Sequence, residues 1–358
     1  MKSLKRIGII LLCLLLVLLA ITGIYVAYVF TAYYRLEDKL PLEVLSGEGT
    51  EPLTAGERYR VLSYNVGFGA YNEEFSFFMD GGKDSRAESP EVVYENIGGA
   101  MQSVKAVNPD LVLIQEVDED GDRSYHIDQR QLVKDALPDF DSVYAQNWDC
   151  PYLFWPPTRP HGANKAGQLT LSRFPIASAL RRSLPIDPGL MKIVDLDRCY
   201  TVNRIPAEDG RELVLYNFHL SAYTADTAIA DNQLKMLFAD MEEEIDAGNW
   251  VIAGGDFNKD LLGNSPEVFR VTAIDSNWAQ PFPKELLPDN IRLIAPFDPE
   301  LPVASCRNAD RPYGPGDLVL TVDGFLISDN VELLESKVVD EAFQWSDHNP
   351  VYLDFKLN

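Results

Sequence analysis

Cysteine is scarce in this chain, and the spacing of the few that occur excludes the common zinc clusters. Of 358 residues only four are cysteine, and none of them forms a CxxC pair. Cys13 falls in a hydrophobic run, which leaves Cys150, Cys199 and Cys306. Structural zinc sites need thiolates paired at short spacing, so we do not expect one. One disulfide among the three is an alternative, but three buried thiols is the interpretation that we favour.

Basic residues are also few. Lysine and arginine number 31 against 55 acidic residues, which gives a formal net charge of −24. Affinity for duplex DNA comes mostly from basic side chains that neutralise phosphates, and a strongly acidic protein repels a polyanion at long range. The composition therefore disfavours tight, non-specific DNA binding, although a local basic strip is left open. The hydrophobic content of 46% is ordinary for a packed globular protein.

Charge is absent altogether from residues 7–32. These 26 residues exceed the roughly 20 that a helix needs to cross a bilayer. Basic residues precede the run (Lys2, Lys5 and Arg6), and tyrosines typical of a membrane interface lie toward its far end. The positive-inside bias predicts a cytoplasmic N-terminus, with the rest of the chain outside a cell membrane that it crosses once.

Two other interpretations of this run fit the sequence less well. A cleavable signal peptide has a shorter apolar region, and no clean small-x-small cleavage site is present. A lipoprotein signal fails because only six apolar residues precede Cys13. We therefore predict a basic tip and signal-anchor helix over residues 1–34, a stalk over 35–58 and one globular domain over 59–358.

Within that domain, short apolar runs recur between turn signals, and strands outnumber helices. Strands are predicted at Arg60–Asn65, Asp110–Glu116, Gly167–Ser172, Leu213–His219, Val251–Ala253, Leu318–Val322 and Val351–Phe355. Helices are predicted at Pro90–Val107, Asp128–Leu137 and Ala228–Ala247. The stretches 67–89, 148–166 and 259–316 are predicted as loops. The pattern indicates an α/β sandwich, with sheets packed face to face and helices outside.

Polar residues stand where six of these apolar runs stop. They are Asn65, Glu116, His219, Asp256 with Asn258, Asp323, and Asp347 with His348. A single carboxylate at a strand end is usually a turn former, but six ends of metal-ligand or acid–base type indicate a site. Oxygen ligands such as Glu116, Asn65 and Asp347 suit Mg²⁺ or Mn²⁺. Asp256 could activate a water, and His348 could pair with Asp323.

The segments around these residues resemble a known family. They are Ser63-Tyr64-Asn65-Val66, Leu113-Ile114-Gln115-Glu116-Val117, Leu171-Ser172-Arg173-Phe174-Pro175-Ile176, Asn217-Phe218-His219-Leu220, Gly254-Gly255-Asp256-Phe257-Asn258, Val322-Asp323-Gly324-Phe325-Leu326 and Ser346-Asp347-His348-Asn349-Pro350-Val351. In type and order they are similar to those of the deoxyribonuclease I-like endonuclease/exonuclease/phosphatase superfamily. With its apolar N-terminal run, the chain resembles a membrane-anchored bacterial-type member.

The resemblance implies a four-layer α/β/β/α sandwich and a divalent metal cofactor, Mg²⁺ or Mn²⁺. It also implies roles by position. Glu116 would be the principal metal ligand, with Asn65 and Asp347 beside it. Asp256 would activate water and Asn258 would position that water or the phosphate. His219 would contact the phosphate, and His348, supported by Asp323, would be the catalytic histidine.

The function expected from these residues is hydrolysis of a phosphoester outside the membrane by a monomeric enzyme. A nuclease and a phospholipid or sphingomyelin phosphodiesterase are alternatives, and the substrate (lipid, nucleotide or nucleic acid) is left open. Aromatic residues that could touch a bilayer include Phe154 and Trp155, although most aromatic side chains pack in cores. A non-catalytic binding module is a remote alternative, because such a protein would be expected to lack Asp256, His348 or Glu116.

Several other residues have two interpretations, as substrate contacts or as structural groups. They are Arg123 with His126, Arg198 with Arg204, and Asn164 with Lys165. His161 is expected to be an exposed loop residue.

Overall fold

The computed structural model describes residues 2–49, 51–222, 227–271 and 277–358. Its first element is the helix α1 (Lys2–Ala32). The stretch Leu4–Ala32 is long and apolar enough to cross a membrane, and a signal sequence near the N-terminus has the same properties. Its apolar side chains are exposed along most of the helix.

Two seven-stranded mixed sheets form the centre of the described domain. In spatial order, the first sheet contains β15 (Val331–Val338), β16 (Val351–Leu357), β3 (Arg58–Asn65), β4 (Leu111–Gly121), β6 (Gly162–Ser172), β5 (Asp141–Leu153) and β2 (Val44–Leu45). The second contains β1 (Leu40–Leu42), β7 (Ser178–Ser183), β8 (Cys199–Pro206), β9 (Glu212–His219), β10 (Trp250–Asp256), β14 (Asp323–Ser328) and β11 (Ile291–Ile294). A separate small ribbon pairs β12 (Cys306–Arg307) with β13 (Val319–Leu320).

The apolar strands are buried on both faces, which explains why they read as continuous hydrophobic runs. In β4, Leu113 packs in the core between the two sheets, whereas its neighbours Val112 and Ile114 pack in the core under the helices. In β10, Ile252 faces the core between the sheets and Val251 faces the opposite way. Successive side chains of a strand point to opposite faces, so each sheet needs a cover on both sides.

Helices supply the outer covers. They are α2 (Pro90–Val107) and α3 (Gln129–Ala136) on the first sheet, α4 (Thr227–Asp246) on the second, and the short α5 (Ser265–Val268). At the start of α2 the Ser89 hydroxyl accepts a hydrogen bond from the Val92 amide, and Asn108 ends the helix with a φ of 53°. These are ordinary start and stop signals. The predicted four-layer α/β/β/α sandwich is confirmed.

Three segments differ from the sequence-based expectation. Residues 35–58, expected as a stalk, contain β1 and β2, which add one strand to an outer edge of each sheet. The stretch 148–166, expected as a loop, contains the ends of β5 and β6, which form a hairpin. The long stretch 259–316 contains α5, β11 and β12. The strands in 35–58 and 259–316 pair with strands elsewhere in the chain, and the hairpin in 148–166 extends strands that begin outside that segment, none of which local composition reveals.

The predicted strand at Leu318–Val322 is wrong for most of its length. Only Val319 and Leu320 pair, in the small ribbon, and the strand of the main sheet begins at Asp323. The Ser305 hydroxyl accepts hydrogen bonds from the amides of Val322 and Asp323. The Thr321 amide donates to the Ser265 hydroxyl. Because side chains take the backbone donors of Thr321 and Val322, these two residues do not extend the strand.

The cysteines follow the favoured interpretation. Cys150, Cys199 and Cys306 are buried, free thiols, which confirms that prediction. Burial raises the pKa of the Cys306 thiol to about 12, so it is protonated and unreactive at neutral pH.

Candidate active site

The polar strand ends of the second sheet meet at one edge. Asp256 ends β10 and pairs in register with His219, which ends the parallel strand β9. On its other side Asp256 pairs with Asp323 of the antiparallel strand β14. An antiparallel neighbour begins where its partner ends, so Asp323 belongs to this edge as the first residue of its strand. The three side chains therefore stand side by side on adjacent strands.

Gly255 of β10 lies where the backbones of β10 and β9 approach each other closely. Gly255 has a φ of 153°, and a Cβ atom there would lie 2.0 Å from the carbonyl oxygen of Phe218 in β9. A larger residue would force the two strands apart. The glycine before Asp256 thus allows the register that places Asp256 opposite His219.

Glu116 is presented by a β-bulge in the first sheet. The pairing of β4 with β6 shifts register between Ile114 and Val117, and Glu116 lies in this gap with a φ of 57°. A residue other than glycine in this conformation is strained, by about 1–3 kcal/mol, and bulges commonly aim side chains into sites. Glu116 is therefore turned out of the regular alternation of its strand.

Asn65 joins the carboxylates of the two sheets. Its Nδ2 atom donates to Glu116 Oε1 and to Asp256 Oδ2, and both donor–acceptor distances are 3.2 Å. Its Oδ1 atom accepts from the Gly67 amide at 3.0 Å. The two carboxylates consequently lie well within a nanometre of each other, although they come from different sheets. In this orientation the amide nitrogen of Asn65, rather than its oxygen, faces the carboxylates.

The segment that carries Asp347 and His348 crosses this edge just before β16. The Ser346 hydroxyl donates to the Asn65 carbonyl at 2.8 Å, and the Arg307 amide donates to the Asp347 carbonyl at 2.9 Å. A Cβ atom on Gly67 would lie 3.1 Å from Asp347 Oδ1, which places that carboxylate beside Asn65. Burial raises the pKa of Asp347 to about 6 against the opposing charge of His348, and the negative charge of Glu116 adds to the increase.

His348 is bound to a buried carboxylate. Its Nδ1 atom lies 2.8 Å from Asp323 Oδ2, and its Nε2 atom lies 3.8 Å from Asp256 Oδ2. Burial opposes the charged imidazolium, but the negative charge of Asp323 outweighs it, so the pKa of His348 lies well above its usual range. His348 is therefore a cation at neutral pH, with Nε2 directed toward Asp256.

His219 has the opposite protonation state. Its Nε2 atom lies 3.4 Å from Asp256 Oδ2, and its buried Nδ1 atom has no hydrogen-bond partner in the described ranges. Burial lowers the pKa of His219 well below its usual range, and the positive charges of Arg198 and His348 lower it further. His219 is neutral at physiological pH and can donate from one nitrogen only.

Asp256 lies between these histidines. Burial raises its pKa to about 7, while the charge of His348 opposes the increase. The amide of Asn258 donates to Asp256 Oδ1 at 2.8 Å, and Asn258 Nδ2 donates to the Leu220 carbonyl at 2.8 Å. Asn258 adopts a φ of 50°, which turns the chain back toward Asp256 directly after its strand. Asn258 thus fixes one carboxylate oxygen and leaves the other near the two histidines.

Two neighbouring groups at this edge have the chemistry of a metal site. Ligand atoms of the buried residues Asp256, Asp323 and His348 all lie within 4.8 Å of one another. In that group, however, His348 and Asp323 already hydrogen bond to each other. The oxygen donors Glu116 and Asp347 lie beside Asn65, and carboxylate oxygens suit a hard cation. The residues present therefore fit a divalent ion.

The two candidate arginines differ in their partners. Arg204 is bound by Glu212 and Glu244, so its charge is already compensated. Arg198 is 6% exposed, and its Nε and Nη1 atoms have no hydrogen-bond partner within the described residues. Burying an unpaired guanidinium is costly. Arg198 thus has free donors beside His219, and sequence alone did not distinguish it from Arg204.

The other candidate substrate contacts have structural partners. Arg123 lies over the rings of Phe68 and Trp148 and forms a buried pair with Asp118. His126 contacts Asp120 at 2.6 Å, Lys165 contacts Asp149 at 3.5 Å, and Asn164 accepts from the Arg123 amide at 3.0 Å. The expectation that His161 is exposed is wrong. It is 4% exposed, with rings of Phe77, Phe78 and Trp148 around it and Nδ1 on the Ser85 carbonyl.

Comparisons with known proteins cover the segments that carry these residues. The model of the endonuclease/exonuclease/phosphatase family matches residues 62–348, a range that contains all eight candidate site residues. A comparison with curated proteins gave no match.

Solved structures share the fold at low sequence identity. An endonuclease/exonuclease/phosphatase from Beutenbergia cavernae DSM 12333 is 18% identical with a TM-score of 0.56, covering 84% of this chain and 72% of its own. One from Bacteroides vulgatus is 16% identical with a TM-score of 0.54, covering 84% and 100%. ANGEL2, described as a 2',3'-cyclic phosphatase, is 15% identical with a TM-score of 0.55, covering 89% and 99%.

Proposed function

Because the chain belongs to the endonuclease/exonuclease/phosphatase family, we propose that it is a divalent-metal-dependent phosphoester hydrolase. The observation that carries the proposal is the position of Asn65, whose amide contacts Glu116 and Asp256 at once. Glu116, a carboxylate suited to a metal, and Asp256, a carboxylate suited to activating water, are thereby held next to the same amide group. Phosphoester hydrolysis needs both groups together.

The metal ion would be held by Glu116 and Asp347, with Asn65 beside them, and Mg²⁺ or Mn²⁺ is the cation that these oxygen donors suit. When bound, such an ion neutralises negative charge that develops on the phosphate oxygens. Asn65 would bind through its oxygen only after its amide turns over.

Asp256 is the general base in this proposal. A pKa of about 7 leaves a useful fraction of the carboxylate ionised at neutral pH and makes it an effective acceptor of the proton from a water. The amide of Asn258 holds Oδ1 and the Asn65 side chain donates to Oδ2, so the direction of the carboxylate is fixed. The backbone that follows β10 therefore orients the carboxylate that accepts the proton of the attacking water.

The two histidines contribute to phosphate stabilisation in different ways. His348, kept cationic by Asp323, donates a charged hydrogen bond from Nε2 to a phosphate or leaving-group oxygen. His219 is neutral and adds a donor without adding a second positive charge. Arg198 supplies the free guanidinium beside it. Three donors of this kind stabilise charge that develops in the transition state.

The helix α1 supports a membrane location. Its length and composition fit a span, and the charge bias favours an N-terminus in the cytoplasm with the domain outside. We include this single-pass arrangement, with a monomeric enzyme, in the proposal. Protease treatment of intact cells tests the orientation: the domain should be cleaved from outside, and a fully protected domain would contradict it.

The chemistry can be tested on the full chain purified in detergent. Bis-p-nitrophenyl phosphate and a panel of lipid, nucleotide, inositol phosphate and nucleic acid substrates would be incubated with Mg²⁺ or Mn²⁺. We expect hydrolysis that EDTA abolishes and metal restores. Asp256→Ala and His348→Ala proteins serve as controls, and wild-type rates no higher than theirs on every substrate would refute the proposal.

A further inference from the structure

The end of α1 is bound to the hairpin formed by β5 and β6. Tyr25 Oη donates to the Tyr152 carbonyl at 3.0 Å, and the Tyr152 amide donates to Tyr28 Oη at 3.0 Å. The rings of Tyr25 and Phe154 meet edge to face, with centroids 5.1 Å apart. Two hydrogen bonds and a ring contact fix the hairpin beside this part of the helix.

A second set of contacts lies just beyond the helix. Tyr33 Oη donates to Asp197 Oδ1 at 3.3 Å, and Arg35 Nε lies 3.6 Å from the same oxygen. The chain then continues into β1 at the edge of the second sheet. The helix is therefore held against the domain through both sheets and is not joined to it by a free linker.

Both points of attachment lie at the edge of the domain that carries Glu116, His219, Asp256 and Asp323, which we call the catalytic edge. Asp197 is two residues before β8, and the pairing of Tyr200 with Phe218 places the start of β8 beside His219. In the first sheet, Gly167 pairs with both Val117 and Gln146, level with the bulge at Glu116. From Gln146 the hairpin runs on to Leu153, roughly 20 Å further at about 3.3 Å per residue.

The depth of the hairpin follows from the length of the helix. From Ile7 to Tyr25 the helix rises about 27 Å, close to the hydrocarbon thickness of about 30 Å. Tyr25 and Tyr28 therefore fall at the far membrane interface if the charge-free run spans the bilayer. Tyr152 and Phe154, which touch them, must lie at the same depth.

The hairpin tip has a surface suited to that depth. Phe154 is 53% exposed and Trp155 is 61% exposed. Leu190, on a separate segment, is 72% exposed, and Lys192 of that segment has its Nζ 5.7 Å from the ring centre of Tyr33, just beyond the helix. Large exposed apolar side chains are uncommon at the tip of a soluble hairpin, whereas tryptophan and tyrosine favour membrane interfaces.

We propose that the Tyr152–Trp155 hairpin tip rests in the bilayer interface beside α1, so that the catalytic edge faces the membrane and the substrate is a phosphoester borne on a lipid headgroup. This inference rests on the proposed hydrolase function and on α1 spanning the membrane. The strongly acidic protein gains little attraction from anionic lipid, so apolar contact at the tip has to hold the surface against the bilayer.

Membrane contact can be measured by fluorescence on the full chain in phosphatidylcholine vesicles. Lipids brominated near the interface should quench Trp155, and the quenched fraction should fall in Trp155→Phe, with vesicles of non-brominated lipid as the reference. Equal quenching of wild type and Trp155→Phe would overturn the proposal.

Substrate presentation can be measured with two esters that share a leaving group. One is p-nitrophenyl hexadecyl phosphate in phosphatidylcholine vesicles, and the other is water-soluble bis-p-nitrophenyl phosphate. The ratio of vesicle to soluble rates should fall at least fivefold in Phe154→Ser/Trp155→Ser. The matched control is Leu334→Ser, an exposed leucine on β15 at the opposite edge of the same sheet, which should keep the wild-type ratio.

The outcomes separate this inference from the function on which it rests. Hydrolysis of the soluble ester with none of the vesicle ester, or an unchanged ratio in the double variant, overturns the membrane-facing site and leaves the hydrolase in place. Failure to cleave either ester, with metal present, counts against the hydrolase itself, while the quenching result still decides whether the hairpin tip enters the bilayer.

Discussion

His348 Nδ1 lies 2.8 Å from Asp323 Oδ2, and both side chains are buried. Asp323 begins one strand of the second sheet, whereas His348 precedes a strand of the first. The pair therefore joins the two sheets at the catalytic edge, and its charge state depends on both. A carboxylate in this position fixes the tautomer and direction of an imidazole.

Replacing Asp323 with asparagine should lower kcat by about 100-fold or more, because His348 loses the charge that keeps it protonated and directed. The measurement is steady-state hydrolysis of bis-p-nitrophenyl phosphate with saturating metal. Asp354→Asn is the matched control, since Asp354 is another buried strand carboxylate but is bound by Arg58 and Arg60. Equal losses of kcat in the two variants would show that the effect of Asp323 is structural.

The two arginines near β8 should separate binding from stability. Arg198→Ala removes unpartnered donors beside His219, so we expect KM for the phosphoester to rise about tenfold, the value of one charged hydrogen bond, with no loss of thermal stability. Arg204→Ala breaks pairs with Glu212 and Glu244, so Tm should fall while KM stays within twofold. The reverse pattern would assign the phosphate contact to Arg204.

Metal affinity should depend on Glu116. Replacing it with glutamine should weaken Mn²⁺ binding at least tenfold in a titration followed by electron paramagnetic resonance, because the amide removes a charged ligand. Glu119→Gln is the control, since Glu119 lies on the same strand and contacts Arg130 at 3.1 Å. Unchanged affinity in Glu116→Gln with weakened affinity in Asp323→Asn would move the ion to the group of Asp256, Asp323 and His348.

His161 should make stability depend on pH. Burial lowers its pKa from 6.5 to about 4, so the unfolded chain takes up a proton before the folded protein does. The contribution of neutral His161 to the free energy of unfolding is present above pH 6.5 and is lost as pH falls through 4. About 2 kcal/mol of this free energy is lost between roughly pH 7 and pH 5.

The check is urea unfolding of the full chain in detergent at these two pH values. In His161→Asn the change in unfolding free energy with pH should be smaller than in wild type by about that amount. His126→Asn serves as the control, because His126 is exposed. A wild-type pH dependence in His161→Asn would contradict the assignment.

Much of the fold follows from local sequence. The helix Pro90–Val107 was predicted to the residue, because Ser89, Pro90 and the 3.6-residue spacing of apolar side chains are local signals. The buried strands were found for a similar reason, as short apolar runs between turns. Leu318–Val322 was misassigned because an apolar run does not show whether a neighbour such as Ser305 takes its backbone donors.

The candidate site was predictable in its members but not in its geometry. The residue types at strand ends are enough to predict Glu116, Asp256 and His348 as site residues. The β-bulge that turns Glu116, however, depends on the pairing of β4 with β6. The bridging role of Asn65 and the free state of Arg198 likewise depend on contacts between distant segments. The burial of His161 does not follow from local sequence, because its aromatic neighbours come from the distant segment of Phe77 and Phe78 and from Trp148 of β5.

The most direct test of the account is the rate of Asp256→Asn. This change keeps the size of the side chain and removes the base, so with saturating metal and an unaltered Tm we predict kcat about 1,000-fold below wild type for the most reactive phosphoester of the panel. A rate within twofold of wild type, in a protein that still binds Mn²⁺, would contradict the assignment of Asp256 as the residue that activates water.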